Sequence, residues 1–337
     1  MGKKGECVAV EATGRKLRLM AEVPKISVKA EIPDEVKNAL SPTRWGKTLG
    51  VTPVVLTVVA TMLAGLASSE MNRAQYERSM AAQRQSKAGD QWNFFQGKKL
   101  RGVMQRTSLD LLAATVELRP LDVAALRALL AGTGAVAVFD TPAGASVTVA
   151  LREAALPQGL AAPVLPPKVQ AATDALESAK PDPEIARLLG EIAGGELDEA
   201  LRSWQRHVLA ADEMTKPISD AIEALERELA KAPGGAALRR DFTAARLAYN
   251  AQRYDAEARL NQVVAELFDL QVRKSNLAAE RFHRRSARFF YGMLAAQMGV
   301  IVSTLAIAAQ RRNLLWAIAA GAGAIALALT AYVLLYV

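Results

Sequence analysis

Apolar and polar positions are unevenly shared along this chain, and the last stretch carries the clearest pattern. From Phe289 to Ala309 no residue is charged; Gln310, Arg311, Arg312 and Asn313 interrupt the run, and Leu314 to Val337 is again free of charge. A helix needs about 20 apolar residues to cross a bilayer core. The two runs therefore predict a transmembrane hairpin at 289–310 and 314–337. Leu49 to Ala67 is a third charge-free run and predicts a first span at 49–67. Pro53 is expected in the first turn of that helix, where a missing amide hydrogen is tolerated. Thr57 and Thr61 can bond back to the turn before them.

The rest alternates in ways that favour helices. Ser68 onward has no proline before Pro120 and predicts a long stalk helix at 68–119. Residues 120–183 are less helical in pattern. Leu121 to Ala131 suits a short helix, while Val136 to Phe139 and Ala145 to Leu151 are β-rich runs around Asp140-Thr-Pro-Ala-Gly, a hairpin signature. Ala161-Ala-Pro-Val-Leu-Pro-Pro reads as a linker. Residues 184–235 predict a helical hairpin region, with a helix–turn–helix from Glu184 to Ala211 and an amphipathic Ile218 to Lys231 closed by Pro233-Gly-Gly. Gly195-Glu-Leu-Asp-Glu-Ala-Leu-Arg-Ser-Trp looks like part of a tetratricopeptide unit, but no regular repeat follows. Leu238 to Arg288 contains neither Gly nor Pro, and Ala256, Leu260, Val263, Leu267, Leu270 and Leu277 keep a 4-3 spacing broken at Lys274. A second long stalk helix at 236–288 follows. Its membrane end neighbours that of 68–119, so the two should pair antiparallel. The expected fold class is an all-α membrane protein: three transmembrane helices, a long coiled-coil-like helical stalk between the first and second, and a small mixed insertion.

Composition agrees with helices. Aromatics make up only 5% of the chain, and Ala and Leu dominate its apolar content. The single cysteine, Cys7, cannot form an intrachain disulfide. With only His207 and His283 beside it, a zinc site of the usual His/Cys kind is not expected. The net charge of +8 suits nucleic acid or anionic lipid. With spans present, lipid headgroups and topology explain it more simply, and nucleic acid is not expected as a partner.

The tail, residues 1–48, holds ten Lys/Arg against six Asp/Glu and shows no secretory or myristoylation signal. Gly46-Lys47-Thr48 imitates a phosphate loop, but Ser41 stands where that loop requires glycine, and a span rather than a strand–helix unit adjoins it. Arg44, Trp45 and Lys47 are instead expected at headgroup depth. Arg281, Arg284, Arg285 and Arg288 form a second candidate headgroup cluster, just before Phe289. A solvated helix end and membrane stop is an equal alternative for them.

The most pointed constellation is Ala88-Gly-Asp-Gln-Trp-Asn-Phe-Phe-Gln-Gly-Lys-Lys-Leu-Arg. Asp90, Gln91, Trp92, Phe95, Gln96, Lys98 and Arg101 there resemble the signature of an uncharacterised bacterial membrane family, the domain of unknown function 4337. Tyr254 to Gln297 is similar to that family's last soluble helix entering its second span. The resemblance covers about half of the chain and implies no activity. These residues suit either a partner-binding patch or side chains fixing the stalk register, with Gln91 and Gln96 bonding across it. The second reading is preferred, since a continuous helix puts Trp92 ~37 Å beyond the first span.

No Ser/His/Asp set, carboxylate pair or metal spacing stands out, so no catalytic residue, metal or cofactor is expected, and no enzymatic activity. Glu196, Asp198 and Glu199 near His207 suit a helix N-terminus. The charge-free runs hold no Asp, Glu, Lys, Arg or His, Gln297 being their one strongly polar group. Small residues four apart, at Gly292/Ala296, Ala295/Gly299 and Ala319/Gly323, suit close helix contact within or between chains. The short basic segments favour a cytoplasmic tail and an extracytoplasmic stalk, in a bacterial inner membrane. The function expected is that of a non-enzymatic envelope scaffold or sensor, as a homo-oligomer contacting lipid and an unidentified protein partner. The alternatives are a membrane-anchored binding module recognising a partner through residues 120–215, and a small oligomeric channel.

Overall fold

The computed structural model describes residues 44–157, 159, 162–309 and 312–336. The tail before residue 44, with Cys7, and Gln310 and Arg311 of the expected hairpin turn lie outside the described residues. In chain order the helices are α1 (Arg44–Thr115), α2 (Val123–Leu129), a 3₁₀ helix (Gly134–Asp140), α3 (Pro142–Glu153), α4 (Pro167–Glu177), α5 (Asp182–Glu191), α6 (Gly194–Lys231), α7 (Ala236–Ala308) and α8 (Arg312–Tyr336). The fold is all-α, with no strand among the described residues.

Among the described residues, three helices are long and apolar enough to cross a membrane: Gly50–Thr115, Ala236–Ile307 and Asn313–Tyr336. Their apolar parts invert the usual size rule of a core. Most large side chains face outward, among them Val54, Val58, Met62, Leu294, Met298, Ile301, Leu305, Ile318 and Leu334, while Leu56, Leu63, Phe289 and Val333 are buried. Small ones face inward: Ala60, Ala296, Ser303, Ala306, Ala319 and Ala326 are all buried. Helices in lipid gain nothing by hiding large apolar side chains, and small residues let their backbones approach. Pro53 lies inside α1 rather than in its first turn, because the helix starts at Arg44.

The chain divides into two compact units. One holds the described residues up to Val59 together with those between Ala295 and Ala324; the other holds those between Ala60 and Leu294 and those from Ile325 onward. In the first, Leu56 is the inserted side chain. A Cβ on Gly299 would lie 3.0 Å from its Cδ1, and one on Gly323 would lie 2.8 Å from its Cδ2. Trp316 Nε1 donates to Thr52 Oγ1 at 3.1 Å in the same unit.

The second unit contains the stalk. On α1, Ala60, Ala67, Ala74, Ala81 and Ala88 recur at intervals of seven and are all buried. Phe95 and the buried Gly102 continue the series. On α7, Ala244, Ala251, Ala258, Ala265, Val272, Ala279 and Ser286 form a matching buried series. Two observations set their register. Ser286 Oγ donates to the Ala67 carbonyl at 2.7 Å. A Cβ on Gly102 would stand 3.6 Å from the Ala251 carbonyl oxygen. Ala67 to Gly102 and Ala251 to Ser286 are equal intervals of five seven-residue steps. The small positions therefore meet in antiparallel order along the stalk. A repeat of seven stays in contact only where helices wind slightly about each other.

Every regular element among the described residues of the insertion is a helix, joined by turns and extended segments, and the region builds two cores. Val169, Ala172, Ile185, Leu189, Leu197, Leu201 and Trp204 pack with Val264, Leu267 and Leu270 of α7. Leu126, Leu130, Val147, Leu151, Ile218, Ile222, Leu225 and Leu229 pack with Phe242 and Tyr249. The expected β-hairpin is corrected here. Val136–Phe139 lies in the 3₁₀ helix and Ala145–Leu151 in α3. Val147, Ala150 and Leu151 are spaced for one helix face and all are buried, so tertiary burial outweighs β propensity. Gly144 permits the sharp entry to α3, since a Cβ there would meet the Phe139 carbonyl oxygen at 2.4 Å. The sequence also suggests separate helices either side of Pro217, whereas α6 runs straight through it. Glu213 and Pro217 are both exposed, so the carbonyl that loses its helical partner faces water.

Candidate functional site

The pointed stretch of α1 lies against α7 and splits between two faces. Asp90, Gln96 and Arg101 are exposed, so Gln96 does not bond across the stalk. Gln91, Trp92, Phe95 and Lys98 are half-buried. Trp92 Nε1 donates to Asp269 Oδ2 at 2.9 Å, and the Trp92 and Phe95 rings meet edge-on at 5.5 Å. Lys98 pairs with Glu257 and stands 5.6 Å from the centroid of the Tyr254 ring. Two heptads nearer the membrane than Lys98, Arg84 donates to Ser275 Oγ.

Acidic partners on α7 complete the seam. Asp255 takes Lys99 at 3.3 Å and Arg106 at 2.5 Å. Those hydrogen bonds, Arg106 first, hold its carboxyl below the usual range against the opposing effect of burial. Glu257 also faces Arg253 at 3.8 Å, and Arg253 Nη1 donates to Ser219 of α6 at 3.0 Å. Tyr249, one turn away, is fully buried, and burial pushes its phenol up. Sequence reasoning named none of these α7 partners. Their signal was the acid spacing within Tyr254 to Gln297, in the second stretch resembling the family.

A groove of about 490 Å³ opens beside this network, lined by Gln91, Phe94 and Lys98 of α1, Leu209 and Asp212 of α6, and Leu260 of α7 among others. Residues 45–135 match the family called domain of unknown function (DUF4337). The DUF4337 segment thus includes the first candidate span, the whole α1 signature and α2. It stops before Tyr254 to Gln297, so the partners of the signature lie outside the match. No curated protein and no solved structure matches the chain.

The remaining candidates fall elsewhere. Arg44, Trp45 and Lys47 sit in the first turn of α1, and their side chains lie outside the described residues. Arg281, Arg284 and Arg288 line one cavity at the membrane end of α7, and Arg285 is not part of its lining. His207 meets Trp204 edge-on at 5.7 Å, and His283 is exposed. Among the described residues, no group of three or more His, Cys, Asp or Glu comes together as a metal site.

Glu266 is the one acid that is buried among the described residues. It is 4% exposed and accepts from Gln262 Nε2 at 2.8 Å. Burial raises its pKa above the ordinary value, with Glu177 and Asp269 adding to the effect. A carboxyl raised in the folded state favours folding fully only below its unfolded pKa, and that contribution is lost as pH rises through the folded value. Glu266→Gln is therefore expected to raise the Tm at pH 7 by about 2–4 °C. The gain should vanish below the ordinary value of 4.5. Melting curves of both proteins across pH check this, and an unchanged Tm at pH 7 would refute it.

Proposed function

We propose that this is a non-enzymatic integral membrane protein whose paired helices form a coiled-coil stalk, acting as a scaffold or sensor of a bacterial inner membrane. The observation that carries the reading is the use of Trp92 and Lys98. Both point into the α1–α7 seam, to Asp269 and Glu257, and serve the register of the stalk. Such a pair holds the helical cap at a fixed distance from the membrane, as a spacer must. A homo-oligomer is supported by Leu100, Met104 and Leu111, which are 62%, 58% and 67% exposed on the face of α1 opposite the seam. The packing of Leu56 between Gly299 and Gly323 argues for a closed helix cluster over a channel.

The second reading, a membrane-anchored binding module, is favoured by the groove beside Phe94 and Leu209. Both are exposed, at 56% and 64%, beside the charged pair of Lys98 and Glu257. Deleting residues 120–215 separates the two: intact oligomers that lose a partner support the module.

Topology is the first experiment. The reading puts the tail in the cytoplasm and the stalk outside. With Cys7 replaced by Ser, a single cysteine is placed at Arg202 or at Asn313, both exposed. An impermeant thiol reagent on intact cells should label the first and spare the second. The opposite pattern overturns the orientation and moves the search for partners to the cytoplasm.

A further inference from the structure

We propose that α5, α7 and α8 build a specific site for the phosphate of an anionic phospholipid. The site is a cavity of about 540 Å³ lined by Lys274, Arg281, Arg284, Arg288, Tyr332 and Tyr336 among others. Its depth follows from the pairing of α7 with α8. A Cβ on Gly292 would lie 3.6 Å from the Ala326 carbonyl oxygen and 3.9 Å from Leu329 Cβ. Four residues earlier on α7, the Arg288 guanidinium lies 5.2 Å from the Tyr332 ring centroid. One more turn along each helix brings Arg284 and Tyr336 to the same cavity. The charge-free run of α7 starts at Phe289, so this turn is the boundary between apolar and basic chain. Tyrosines collect at that depth, and Tyr332 and Tyr336 stack there at 5.7 Å.

The charges are one-sided. Four cations line the cavity against the single carboxylate of Glu280, which is paired with Arg284. Lys274 is fixed by donating to the Ile192 and Ala193 carbonyls at 2.8 Å and 3.2 Å. Those carbonyls belong to the turn after α5, so the soluble cap itself forms one wall. Arg288 Nη1 is shielded from solvent and has no hydrogen-bond partner among the described residues. A shielded guanidinium donor needs an acceptor, and a phosphate oxygen is the acceptor that its planar fork fits. Leu277 and the two tyrosine rings supply the apolar side on which a glycerol backbone would rest. Sequence alone gives a row of arginines on one helix. The structure divides them, leaving Arg285 off the cavity and adding Lys274 and the tyrosines.

The site rests on the membrane placement of α7 and α8, and it holds whichever side the stalk occupies. The test uses the full chain in nanodiscs of equal phosphatidylglycerol and phosphatidylcholine, with lipid retention read by native mass spectrometry. One phosphatidylglycerol should remain per chain. Arg288→Gln and the exposed, fold-neutral Arg281→Gln should each weaken retention about tenfold. Arg78→Gln, an equal charge loss on the exposed face of α1, should change it less than about twofold. Equal retention of the two lipids, or equal loss in all three variants, overturns the proposal. Inorganic phosphate binding in detergent without any retained lipid also overturns it and assigns the cavity to a soluble anion.

Discussion

Ala88→Leu is expected to force α1 away from α7 and to lower stability by about 3 kcal/mol. Ala88 is fully buried. It belongs to the seven-residue series of α1 and packs in the same core as Val264, Leu267 and Leu270. A leucine there adds three carbons where the facing series of α7 is itself small, with Ala265 also fully buried. Neither helix can yield locally, because Trp92–Asp269 on one side and Arg84–Ser275 on the other fix the distance. The control is Ala82→Leu, at an exposed position of the same helix. Leucine is nearly as good a helix former as alanine, so propensity separates the two by only a few tenths of a kcal/mol. Thermal melts in detergent, with trypsin digestion of the stalk, distinguish them. If both variants melt together, the seven-residue series is not a tight contact.

That series shows why the contact face of the stalk escaped sequence reading. Hydrophobic pattern is usually weighed by large side chains, and on the stalk part of α1 the buried positions are alanines and Gly102, with the half-buried Glu77, Arg84, Gln91 and Lys98 between them. No large apolar stripe marks the face. On α7 the chosen series, with Leu260, Val263, Leu267 and Leu270, is real but faces the cap, where Leu267 and Leu270 join Val169 and Trp204. The stalk seam is the neighbouring series of alanines, invisible to a scale that ranks alanine low. The break at Lys274 has a positive explanation too, since its ammonium holds the turn after α5. The three spans were legible because twenty apolar residues admit few other structures. The β-hairpin was misread because Val136 to Leu151 is rich in β-branched residues, and only the α6 face it covers decides its conformation. Trp92 and Lys98 were legible as special, but their partners were not. An acid on a long helix finds its cation only when the register of two helices is known.

Lys98 supplies the second large effect. Its ammonium pairs with Glu257, and the side chains are 28% and 12% exposed. Lys98→Met should cost about 2 kcal/mol, since a carboxylate this shielded keeps only Arg253 at 3.8 Å as a counter-charge. Partial solvent access to the pair keeps the loss below the roughly 3–5 kcal/mol of a fully buried one. Glu257→Gln should cost less, because the lysine can swing toward water while remaining near the Tyr254 face. The double variant Lys98→Met/Glu257→Gln should be more stable than the sum of single losses predicts, by about 1 kcal/mol. The cycle has a functional edge as well. Glu257 lines the groove with Phe94 and Leu209, so a partner docking there should lose affinity in the single variants and not recover it in the double. If the two losses add without coupling, Lys98 and Glu257 act separately. The family signature then loses its role in setting the stalk register, and the groove becomes the better account of Lys98.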